Sequence, residues 1–160
     1  MHIIRSLPFA ALAFLAACGE QETTAACSGD GIVVSNAWVR AAGEASPMSA
    51  AYVEICNGGD AADRLVAARY DGADAAEIHM TRMSEDGVAS MAPAEGGLAL
   101  PAHEMTALAP GGAHIMLIGL NTPIEAGEEA AITLEFENAA PVTLMFEARS
   151  RIDAAGHEGH

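Results

Sequence analysis

Lysine is missing from this chain. Its seven cationic residues are all arginine, they face 22 Asp and Glu residues, and the formal charge is −15 at pH 7 with His neutral. That imbalance excludes nucleic acid and anionic lipid surfaces as partners, because both would be repelled. Acidity draws cations toward a surface without choosing among them, and it serves solubility equally well. Cysteine is scarce too: Cys18, Cys27 and Cys56 are the three, and neither Cys27 nor Cys56 has a Cys or His neighbour at metal-ligand spacing, so neither is assigned to a metal. There is no Ser-His-Asp or Cys-His arrangement at motif spacing, no glycine-rich phosphate loop before a helix and no paired-carboxylate signature. An enzyme is therefore the least supported class.

Long apolar runs are also absent. Residues 1–6 carry one Arg and no acid, and 7–15 are almost wholly apolar. This segment is far shorter than the roughly 20 residues that span a bilayer, so residues 1–17 read as a cleaved export signal. Leu15-Ala16-Ala17-Cys18 resembles the bacterial lipobox, which implies that Cys18 is lipidated and anchors the chain on the periplasmic side of a membrane, with lipid its only membrane contact. Residues 18–31 read as anchor and flexible tether. With Cys18 given to lipid, Cys27 and Cys56 could close a loop of about 30 residues as a disulfide, worth about 3 kcal/mol, or stay as free thiols.

After processing, the chain is long enough for one domain with a core and too short for two. Segments of strand character fall at 32–40, 50–56, 64–70, 75–81, 88–92, 98–100, 105–108, 114–120, 130–137 and 142–148. Between them stand turn signals such as Asn57-Gly58-Gly59-Asp60, Asp86-Gly87 and Pro110-Gly111-Gly112. Alanine is plentiful but scattered among β-branched residues and turns, not spaced along an apolar helix face. The expectation is an all-β domain over 32–150, a Greek-key barrel or sandwich. Ile132, Leu134 and Phe136 alternate with polar residues, as Val142, Leu144 and Phe146 do, and predict a hairpin across 138–141. Trp38 lies in an apolar strand and reads as a core residue.

The chemistry-bearing residues are His79, Met91, His114 and Met116. Thioether sulfur is a soft donor that magnesium and calcium ignore, so methionines beside imidazoles favour Cu(I). On a strand, His114 and Met116 project to one face about 7 Å apart, just after a Pro-Gly-Gly turn. The partners of Met91 depend on register. A two-residue turn at Asp86-Gly87 would set Met91 opposite Arg82 and bring Met80 to its face; a longer loop or a bulge would bring His79 instead.

His79-Met80, Met91 and Pro110-Gly111-Gly112-Ala113-His114-Ile115-Met116-Leu117, together with Asn36-Ala37-Trp38-Val39-Arg40 and Asp63-Arg64-Leu65-Val66, resemble the periplasmic PCuAC copper chaperones. The likeness runs from about Asn36 to Ala148, with the stretch from Met91 to His114 about a residue longer than the family's usual pattern. The resemblance implies a cupredoxin-like barrel binding one Cu(I) through His79, Met91, His114 and Met116, with Met80 as rival to His79. It also implies delivery to subunit II of cytochrome c oxidase or its copper-insertion factors.

Thioethers suit an oxidising compartment because they cannot be lost to disulfides. Sequestration for copper resistance would use the same site. A blue-copper electron carrier would need a thiolate beside two histidines, which neither Cys27 nor Cys56 offers. In the tail over 151–160, His157 and His160 are nitrogen donors suited to Cu(II), or incidental residues of a disordered polar end.

Overall fold

The computed structural model describes Cys27, residues 29–84 and residues 86–150. The export signal, Cys18, His157 and His160 lie outside the described residues. Ten strands account for most of what is described: β1 (Ile32–Arg40), β2 (Met48–Asn57), β3 (Asp63–Arg69), β4 (Ala73–Met83), β5 (Ala89–Pro93), β6 (Leu98–Leu100), β7 (Glu104–Leu108), β8 (Ala113–Leu120), β9 (Glu129–Phe136) and β10 (Val142–Arg149). Each matches one of the ten expected segments to within a few residues, and no helix forms among the described residues.

Hydrogen bonding links the strands in the order β5-β4-β8-β2-β1-β10-β9-β3-β6, with β7 paired to β2 beyond the end of β8. All pairs are antiparallel except β1 with β10, the first and last strands. The sheet curls until β3 lies against β4 and β6 approaches β7. Inside it, alternate residues of the central strands form the core: Val53 and Ile55 of β2, Ile115 and Leu117 of β8, Ile132 and Leu134 of β9, and Phe146 of β10. The β9–β10 hairpin forms as its alternation predicts, with Leu134 opposite Val142 and Ile132 opposite Leu144.

Trp38 is not a core residue. Val39, next to it, is fully buried, and strand alternation sends Trp38 to the outer face. There it stacks on Tyr52 at 4.3 Å between ring centres, with the Arg149 guanidinium 5.7 Å above it. Cys27 and Cys56 are joined by a disulfide. It fixes the chain ahead of β1 to the end of β2, beside the Cys27 N–H bond to the carbonyl of His103.

Candidate metal centre

Strand register decides which side chains meet. In the antiparallel pair β4–β8, His79 lies directly opposite His114 and Glu77 opposite Met116. In β4–β5, Met91 lies opposite Thr81, and His79 opposite Pro93. Directly opposed residues share a face, as do residues two apart on one strand. His79, Met91, His114 and Met116 therefore stand together on the outer face of one three-stranded segment.

The register differs from a two-residue turn because the last β4–β5 pair is Met83 with Ala89. The connection is five residues long, closed by the Ser84 N–H to the Val88 carbonyl and the Gly87 N–H to the Ser84 carbonyl. That odd loop length reverses the parity. Met80 is thereby sent to the opposite face, where it packs against the core.

The second half of the site is built by the turn before β8. The Gly112 N–H bonds to the Ala109 carbonyl, Pro110 supplies the fixed φ, and Gly111 takes a φ of +83°, the pattern of a type II turn that only glycine or asparagine enters easily. It presents the Gly112 carbonyl to two donors, the Thr81 N–H and the His114 ring. His114 Nδ1 is 3.1 Å from that carbonyl. A carbonyl only accepts, so Nδ1 carries the proton and Nε2 keeps its lone pair for a metal. His79 is oriented in the same way: its Nε2 donates to the Glu77 carboxylate at 3.0 Å, which leaves Nδ1 as the free donor atom.

His114 is 5% exposed and Met91 is 61% exposed, so the site runs from a sunken imidazole to a thioether in solvent. The two imidazole rings lie 5.9 Å apart. Met91, His114 and Met116 line one pocket of about 320 Å³, together with Arg40, Ala50, Tyr52 and Thr81. Tyr52 closes the inner side, its ring 6.4 Å from that of His114. Burial pushes the Tyr52 phenol above its ordinary range, against the opposing pull of the Arg40 charge, so it stands there as a neutral hydroxyl at neutral pH.

Among the described residues, no group of three or more His, Cys, Asp or Glu side chains could hold a metal ion. Two imidazoles alone make a poor site for a hard or divalent cation. The thioethers of Met91 and Met116, on the same face, are donors suited to a soft monovalent ion. The disulfide lies at the far end of β2, paired with β7 and the start of β1, so it brings no thiolate to the pocket. His103 is remote as well, 3.1 Å from the Asp60 carboxylate. Glu77, Tyr52 and Arg40 are the neighbours that motif reasoning missed. Their signal is the cross-strand register, which no local spacing carries.

The family model described as LpqE-like matches residues 32–148. Lxx21020 of Leifsonia xyli subsp. xyli (strain CTCB07), designated a lipoprotein, is 40% identical over 111 residues. That match spans 69% of this chain and 65% of the relative, a little under two thirds of its length. Among solved structures, the apo PCuAC domain from PmoF1 superposes with a TM-score of 0.62 at 28% identity, covering 74% of this chain and 93% of that one. The copper-bound PCuAC domain from PmoF2 gives a TM-score of 0.63 at 24% identity, over 78% and 96%. The Cu(I) form of DR1885 from Deinococcus radiodurans gives 0.58 at 26% identity, over 82% and 83%. The all-β fold expected from the sequence is thus the cupredoxin-like fold of PCuAC domains.

Proposed function

Because this chain belongs to the LpqE-like family, with the PCuAC fold, we propose that it is a copper chaperone. It is lipid-anchored through Cys18 on the periplasmic side of a bacterial membrane and carries one Cu(I) on His79, Met91, His114 and Met116. The observation that carries this reading is the register of β4, β5 and β8, which sets two imidazoles and two thioethers on one face. The orienting bonds from Gly112 and Glu77 leave one lone pair free on each ring.

Four neutral donors leave the bound ion its single positive charge and hold it less firmly than thiolates would. Met91, open to solvent, is the ligand an acceptor reaches first. Copper then leaves by ligand exchange, downhill to an acceptor with cysteine ligands. The acceptor we propose is subunit II of cytochrome c oxidase or its insertion factors. The exposure of Met91 favours such transfer over sequestration, which would enclose the ion.

The test is anaerobic Cu(I) titration of the domain against a competing chelator, with wild type and the double variant Met91→Ala, Met116→Ala. One tight equivalent, lost in the double variant, is expected. Equal binding in both would sink the ligand assignment and turn attention to His157 and His160.

A further inference from the structure

Three of the arginines have a carboxylate within ion-pair reach: Arg64 has Glu137, Arg69 has Glu135 and Arg149 has Glu147. Arg40 has none among the described residues, in a chain where acids outnumber cations 22 to 7. Its place is set by the sheet. Val39 pairs with Ala51, and Ala50 pairs with Met116, so Arg40 and Met116 lie in one cross-strand row with Ala50 between them. A methyl group there leaves room for the side chain of Arg40, which lines the same pocket as Met91, His114 and Met116 and whose charge acts on the Tyr52 phenol of that pocket. The backbone of Arg40 is held by the buried Ser49 hydroxyl, which donates to its carbonyl. Glu77 is the charged group on the other side, and it is engaged with His79. Arg149 is turned over the Trp38 ring.

We infer that Arg40 is a specificity-determining residue of the copper site, one that discriminates by ionic charge: it disfavours Cu(II) against Cu(I) and loosens both for release. The inference rests on the Cu(I) reading given above. A fixed positive charge repels a +2 ion twice as strongly as a +1 ion at the same place. A donor set of neutral His and Met side chains does nothing to offset that difference. Cu(I) suffers the smaller penalty, which makes its transfer to an acceptor easier. Cu(II), which would otherwise accept the two imidazoles, suffers the larger.

The test is Arg40→Gln beside Arg40→Lys, with Cu(I) and Cu(II) affinities measured separately by chelator competition and the reduction potential of the loaded protein by redox titration. In Arg40→Gln, removing one charge at partly screened range should tighten Cu(I) about fivefold and Cu(II) by the square of that, roughly 25-fold. The fivefold change in their ratio is a fall of about 40 mV in potential, at about 59 mV per decade for one electron. Arg40→Lys keeps the charge and should stay near wild type in both affinities. Unchanged affinities in Arg40→Gln, or equal factors for the two ions, overturn the inference while leaving the copper site intact. A wild-type protein that binds no Cu(I) overturns both.

Discussion

Met80 and Met91 offer the sharpest test of the site, because they have similar claims in the sequence and opposite places in the fold. Met91→Ala removes a side chain that is 61% exposed. Changes at exposed positions usually cost under about 0.5 kcal/mol, so the apo domain should keep its melting temperature. The same change removes one of the four donors proposed for copper. Losing an outer-shell partner of a metal ligand costs about 10- to 100-fold in affinity, so losing the ligand itself should cost at least about 100-fold. Met80→Ala should do the reverse. Met80 is half-buried against the core on the other face, and truncating it should cost about 1–2 kcal/mol, below the ~2–5 of a fully buried Met. For a domain of this size that is a fall of about 5 °C in melting temperature, with Cu(I) affinity unchanged. The assays are calorimetric melting of the apo forms and anaerobic chelator competition. A loss of copper affinity in Met80→Ala with none in Met91→Ala would refute the register, and with it the argument that loop length selected His79.

Two further outcomes follow from features away from the pocket. Replacing Cys27 and Cys56 with Ala opens a loop whose ends are 29 residues apart, so the denaturation midpoint should fall by the equivalent of about 3 kcal/mol, while Cu(I) affinity stays the same; a parallel loss of copper would place the disulfide in the site. Asp63 gives a pH dependence of known sign. Partial burial works against its charge, but the N–H groups of Arg64, Asn138 and Ala139 outweigh it and hold the carboxyl below its ordinary value. Its contribution is therefore present above the unfolded value of about 4 and lost as pH falls through the lower folded value. Asp63→Asn should be less stable than wild type at neutral pH, with the gap closing on acidification, and urea titrations at several pH values would show it; a gap that widened in acid would contradict the assignment.

Much of the fold was legible because its signals are local. Glycine-rich turns and period-two alternation report on a few neighbouring residues, and they located all ten strands and the β9–β10 hairpin. Trp38 was misplaced because a strand flanked by apolar residues on both parities does not say which face turns inward. Here Val39 does, and the indole is left to pack outside between Tyr52 and Arg149.

The sequence by itself determined the chemistry: which donors exist, that they are soft and neutral, and that His114 and Met116 share a face, since strand alternation needs no partner to be true. Only the tertiary structure decided which donors meet. The five-residue β4–β5 connection put His79, and not Met80, on the face of Met91, because one residue of slip exchanges every side chain between the faces of a sheet. The same sheet brought Arg40, some 50 to 75 residues distant in sequence from Met91, His114 and Met116, into the pocket they line through hydrogen-bonded rows spaced about 4.8 Å apart. Pairing between strands far apart in the chain fixes such neighbours, and no local spacing encodes it.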